Sequence, residues 1–218
     1  MKLAALFLLL SITLATHATE APLKVLCFGD SITEGKTPAS LKNGERWIEV
    51  LEKKSGGKLV CFNEGKGGRP AAAVADLEPA LKRHADADIL LIALGTNDSR
   101  DYDAKATDRV VSNLAKMLEL ARKSNSKLKF VLCAPYNINT DGLKANKDKG
   151  PQRKENLIAF GKAIQKLAAD QKVPCIDFYG VIPESSMTSD GVHPDVVGHA
   201  AIAEKAWAEF QTQVLSKK

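Results

Sequence analysis

The chain has 218 residues and a mass of 23.5 kDa, 44% of them hydrophobic and 26% charged, which is enough apolar material to bury one sizeable core. Its 15 glycines and 9 prolines follow no period, so collagen-like, repeat and low-complexity architectures are excluded. The 31 basic and 26 acidic residues leave a net charge of +5 that is spread along the chain, which argues against a nucleic-acid-binding protein.

Residues 1–18 carry a separate signal. Lys2 precedes an apolar run from Leu3 to Leu14, interrupted only by Ser11 and Thr13, and Thr16-His17-Ala18 supplies small residues near a cleavage point. An apolar run of about 12 residues spans only ~18 Å as a helix, short of the ~30 Å hydrocarbon core of a bilayer. The segment is therefore expected to be a secretory signal peptide and not a membrane anchor. It implies export, to a periplasm or to the medium, and leaves residues 19–218 as a single domain without stable membrane insertion.

Beyond it, strand and helix signals alternate. Short apolar runs at 23–28, 58–62, 88–94, 129–133 and 173–177 have the character of strands buried on both faces. Helical patterns fill the intervals at 46–54, 71–84, 107–123 and 152–170, and a last helix covers 196–215. In the third helix Val110, Val111, Leu114, Met117, Leu118 and Ala121 recur at three- and four-residue steps, one stripe for packing on a sheet. Pro70 suits the first helical position of the second helix, and Asp195 suits the cap of the last. Five strands joined by helical crossovers predict an α/β fold with a mostly parallel, doubly wound sheet, whose ligand sites lie at the carboxyl ends of the strands.

The residues at those ends are chemically distinctive. Gly29-Asp30-Ser31-Ile32-Thr33 follows the first strand, where a turn serine can offer a hydroxyl nucleophile or simply cap a helix. Asn63-Glu64-Gly65-Lys66-Gly67-Gly68 follows the second, and its glycines permit close backbone approach to a ligand or a plain turn. Gly95-Thr96-Asn97-Asp98 follows the third, with Asn97 either an amide donor or the centre of an Asx-turn. Ser189-Asp190-Gly191-Val192-His193-Pro194 precedes the final helix, and its Asp-x-x-His spacing lets a carboxylate hold one imidazole nitrogen while the other faces a hydroxyl.

Two other features lie at the same edge. The polar segment 135–150, with Asn137, Asn139, Asp141 and Asn146, is long for a connection and suits a lid, a binding loop or a solvated excursion, and a second irregular stretch, 37–45, comes after the first strand. Cys27, Cys61, Cys133 and Cys175 sit within strand-like runs, where free buried thiols are expected over disulfides. No C-x-x-C spacing exists, and His193 and His199 lack further ligand neighbours, so neither a metal nor an organic cofactor is expected. His84 and His199 fall within helices as structural residues.

The four blocks in this order resemble the GDSL family of the SGNH hydrolase superfamily, and the resemblance runs from Lys24 to about Trp207. It implies a three-layer α/β/α, flavodoxin-like fold with a five-stranded parallel sheet of order 2-1-3-4-5. It further implies Ser31 as nucleophile, Asp190 and His193 as its triad partners, and an oxyanion hole built from the Ser31 and Gly65 N–H groups and the Asn97 amide. Trp47 resembles a structural aromatic of the family. Arg69-Pro70 departs from the family pattern, and Arg69 at the rim either grips an anionic substrate group or is a solvated side chain near the helix N-terminus; with Asp30 of the first block it is a candidate substrate-binding residue. The implied reaction is carboxylic ester hydrolysis through an acyl-enzyme. With few aromatics and no amphipathic lid, small acyl groups on carbohydrate are the expected substrates. A lysophospholipase or thioesterase acting on longer chains, and a catalytically silent carbohydrate-binding domain, are the alternatives.

Overall fold

The computed structural model describes residues 21–35, 41–143 and 147–216. The signal-peptide expectation at 1–18, part of the irregular stretch at 37–45 and Asn146 lie outside the described residues. Five parallel strands, β1 (Leu23–Gly29), β2 (Leu59–Gly65), β3 (Ile89–Ala93), β4 (Lys129–Ala134) and β5 (Cys175–Asp177), form one sheet in the order β2-β1-β3-β4-β5. The expected fold class and strand order are those observed.

Because successive side chains in a strand point to opposite faces, a strand covered on both sides must be apolar at every position. In β1, Leu26 and Phe28 enter one core while Val25 and Cys27 enter the other, and β3 divides in the same way between Leu90 and Ile92 and the set Ile89, Leu91 and Ala93. The first core is closed by α3 (Leu77–Arg83), α4 (Ala106–Ser124) and α5 (Gly150–Gln171), the second by α2 (Trp47–Lys54) and α6 (Val196–Glu209). The stripe of α4 is buried through Val110, Leu114, Met117, Leu118 and Ala121. All four cysteines are free thiols. Among the described residues no helix is long and apolar enough to cross a membrane.

One short helix escapes the periodic reading, and one local expectation fails. A four-residue helix, α1 (Ser31–Glu34), starts directly after β1, too short to leave a periodic pattern. Pro70 does not open the second helix: after a 3₁₀ turn at Val74–Asp76, α3 begins only at Leu77. The Ala71 N–H, which a helix starting there would leave unpaired, instead donates to both carboxylate oxygens of Asp98, at 3.1 and 3.0 Å, and holds this stretch across the strand ends. The last helix also changes character, continuing past Glu209 as a π-helical turn at Phe210–Leu215.

Asp195 caps α6 as expected, accepting from Val197 N–H at 2.9 Å and Gly198 N–H at 3.0 Å. One turn on, the fully buried His199 accepts the Trp47 N–H, at the start of α2, on its Nδ1 at 3.2 Å. Burial holds this imidazole neutral and lowers its pKa from 6.5 to about 4. In the window between these values the unfolded chain binds the proton more readily than the folded one, so this group's contribution to stability is lost as pH falls from 6.5 toward 4. In thermal melts, His199→Gln is expected to show a shallower loss of Tm across that window than the wild type. Parallel profiles would remove His199 as a source of acid sensitivity.

Candidate active site

The carboxyl ends of β1 and β2 meet α1. Asp30 caps this helix, its Oδ1 accepting the Ile32 N–H at 2.9 Å, which turns the chain sharply and sets Ser31 at the first helical position. The helix can sit so close to the strand ends only because both neighbouring strands finish in glycine. A Cβ at Gly29 would lie 2.1 Å from Thr33 Oγ1, and one at Gly65 would lie 2.1 Å from the Glu34 backbone nitrogen. The Glu34 carboxylate in turn accepts the Gly67 N–H at 2.7 Å, tying α1 to the loop after β2.

The turn before α6 delivers the other partners. Asp190 Oδ1 accepts from Val192 N–H at 2.9 Å, His193 N–H at 3.0 Å and Thr188 Oγ1 at 3.0 Å, while its Oδ2 meets His193 Nδ1 at 2.6 Å. With Nδ1–H donated to the carboxylate, His193 Nε2 is left as the acceptor for the Ser31 hydroxyl, 2.8 Å away and 162 residues distant in sequence. Burial alone would raise the Asp190 carboxyl, but the bonds from the His193 and Val192 N–H groups and the His193 ring outweigh it and hold the pKa at about 2. Asp190 is therefore an anion at neutral pH.

The connection after β4 braces this turn. Asn139 N–H donates to Gly191 O at 2.8 Å, and Gly191 has a φ of 70°, where a Cβ would lie 2.2 Å from Asn139 O. Only glycine satisfies both the left-handed backbone and that approach. Residues 139–142 thus act as a buttress behind the Asp-His turn, a role that composition alone did not distinguish from a lid.

Asn97 stands at the end of β3, its Oδ1 accepting from Arg100 Nη2 at 2.8 Å and its Nδ2 donating to Arg69 O at 3.3 Å. The Arg100 contact fixes which way the amide faces.

Three sequence-based assignments need correction. Gly65 N–H is taken by Asn63 Oδ1 at 2.9 Å, so Gly65 is a packing residue beneath α1 and not a free donor. Gly68, at φ 73° and exposed, lies next to the Arg69 carbonyl that Asn97 holds, and its N–H has no partner among the described residues. Asp30 is 1% exposed and Arg69 6% exposed, so neither can touch a substrate. Burial raises the Asp30 pKa to about 6, and the Arg69 guanidinium is spent on two main-chain oxygens and the Asp76 carboxylate.

The GDSL-like Lipase/Acylhydrolase family matches residues 27–201 of the chain. This protein belongs to that family. Its structure is similar to one from Agrobacterium tumefaciens str. C58 described as that of a "putative arylesterase", at 27% identity and a TM-score of 0.74, covering 88% of this chain and 100% of that one. It also resembles the fold of a carbohydrate acetylesterase family member from Sinorhizobium meliloti, at 21% identity, a TM-score of 0.72 and coverage of 87% and 98%. The native aryl esterase of M. Smegmatis aligns at 19% identity, a TM-score of 0.73 and coverage of 88% and 100%. No curated protein matches the chain in sequence. The chain is thus an esterase or acylhydrolase of the GDSL family, whose members act on small-molecule esters.

The glycine at β2 generates a specific expectation. Gly65→Ala should displace α1 and with it Ser31, lowering both Tm and turnover although no donor is removed. Unchanged activity with unchanged Tm would show that the close contact is not needed.

Proposed function

We propose that the protein hydrolyses carboxylic esters through an acyl-enzyme on Ser31. The unbroken chain from Ser31 Oγ to His193 Nε2, at 2.8 Å, and from His193 Nδ1 to Asp190 Oδ2, at 2.6 Å, carries this reading. Ser31 Oγ attacks the ester carbonyl while its proton passes to His193 Nε2. The tetrahedral intermediate then collapses, and the same proton leaves with the alcohol. Water, deprotonated by the freed imidazole, attacks the acyl-serine, and breakdown of the second intermediate releases the acid and returns the proton to Ser31. Asp190, anionic throughout, holds the ring orientation and offsets the charge on the imidazolium.

The oxyanion donors are the Ser31 N–H, the Gly68 N–H and the Asn97 Nδ2–H. Gly68 replaces Gly65 in this set because Asn63 occupies the Gly65 N–H. Small acyl groups, acetyl foremost, on a carbohydrate alcohol are the proposed substrates. Support comes from the polar residues around the site and from structural neighbours described as aryl esterases and carbohydrate acetylesterases. The leader-like residues 1–18 support action outside the cytoplasm.

Hydrolysis of p-nitrophenyl acetate should fall by about 10³-fold or more in Ser31→Ala. Equal rates in the two proteins would overturn the covalent mechanism and favour a silent binding domain. Asp190→Asn should retain the fold and lose turnover by about 10³- to 10⁴-fold, because the tautomer that leaves Nε2 free is no longer enforced. A series of p-nitrophenyl esters from acetyl to palmitoyl should favour the shortest. A preference for chains longer than octanoyl would replace the carbohydrate reading with a lipid one.

A further inference from the structure

Arg69 is a buried cation beneath the site. Its Nη1 donates to Gly29 O at 2.7 Å and also to Glu64 O, its Nε reaches Asp76 only at 3.4 Å, and its guanidinium carbon lies 4.0 Å from the centre of the Phe28 ring. Burying a guanidinium whose closest partners are two peptide oxygens is expensive, and an apolar side chain of similar length would fill the same space at less cost. The partners chosen are informative. Gly29 is the last residue of β1, two positions before Ser31, and Glu64 is the penultimate residue of β2, at the root of the loop that carries Gly68. The regular ladder between these strands ends here: Lys66 N–H makes its last rung to the same Gly29 carbonyl at 3.1 Å. Among the described residues no sheet hydrogen bond joins the two loops beyond this point, where the Glu34 carboxylate on the Gly67 N–H is a further tie.

Arg69 also acts through its backbone. It directly follows Gly68, its N–H returns to Lys66 O at 3.1 Å to close the turn, and its carbonyl accepts the Asn97 Nδ2 at 3.3 Å. One residue therefore touches all three segments from which the proposed oxyanion donors project.

We propose that Arg69 is a positioning residue of the oxyanion site, whose guanidinium clamps the ends of β1 and β2 so that the Ser31, Gly68 and Asn97 donors converge on one oxygen. The inference rests on the acyl-enzyme reading given above. A donor displaced by a fraction of an ångström still admits the substrate but stabilises the tetrahedral anion poorly, so the loss falls on kcat and not on KM.

The test compares wild type, Arg69→Met and Arg69→Lys for kcat and KM on p-nitrophenyl acetate, for inhibition by phenylboronic acid, which forms a tetrahedral anion on the serine, and for Tm. Arg69→Met should lower kcat by about 10²-fold with KM within about threefold, and weaken the boronic acid by a factor similar to the loss in kcat. Arg69→Lys, able to reach one of the two carbonyls, should recover about tenfold of the loss. Either a kcat within about twofold of wild type in Arg69→Met, or unchanged boronic acid affinity alongside reduced kcat, overturns the proposal. So does equal damage by both substitutions that merely follows Tm. Should Arg69→Met fail to fold, the ratio of kcat loss to boronic acid loss in Arg69→Lys decides alone. Wild-type activity that survives Ser31→Ala would instead overturn the acyl-enzyme reading, and this inference with it.

Discussion

The seating of α1 on the ends of β1 and β2 is the constraint from which the rest of the site follows. A serine can be presented at a strand end only if the chain turns at once, and here the Asp30 cap makes that turn while Gly29 and Gly65 leave room for it. Because the strands are parallel, all their carboxyl ends lie at one edge, and loops remote in sequence are forced into proximity. His193 meets Ser31 there after a separation of 162 residues. Neither side chain could be aimed without the buttressing on each side: Glu34 on the loop after β2, and Asn139 on the Gly191 turn.

Electrostatics divide the charged groups around the site by their hydration. Asp190, half-buried, is held ionised by a ring of N–H donors. Asp30, next to Ser31 in the chain, is buried with fewer donors, and its pKa is pushed up to about 6. Two carboxylates in one site thus differ in charge behaviour because Asp190 meets donors on both oxygens, whereas Asp30, fully buried, has the Ile32 N–H on Oδ1 and no partner for Oδ2 among the described residues. Arg69 shows the same principle for a cation, with main-chain oxygens standing in for water.

Much of the architecture was legible beforehand because both-face burial imposes continuous apolar runs, and helices between them impose parallel pairing. The runs at 23–28 and 88–94, the stripe of α4 and the Asp195 cap are local features whose outcome depends on few distant contacts. What failed depended on partners elsewhere. The start of α3 shifted because the Asp98 carboxylate, beyond β3, captured the Ala71 N–H. Gly65 and Gly68 are equivalent as letters, and only the position of Asn63 and α1 separates a packing glycine from a free donor. Arg69 follows the exposed loop after β2 in sequence but turns inward over Phe28, a choice invisible to composition.

The sequence by itself therefore determined the order of elements, the five-stranded parallel class and the four chemical blocks, since these follow from periodicity and from residue type at strand ends. Tertiary structure alone decided which N–H groups remain unpaired, which charges are buried and how the Asp-His turn is braced. Those properties are set by competition among hydrogen-bond partners, some two residues away, as Asn63 is from Gly65, and others dozens away, as Asn139 is from Gly191, and a linear pattern holds no record of which partner wins.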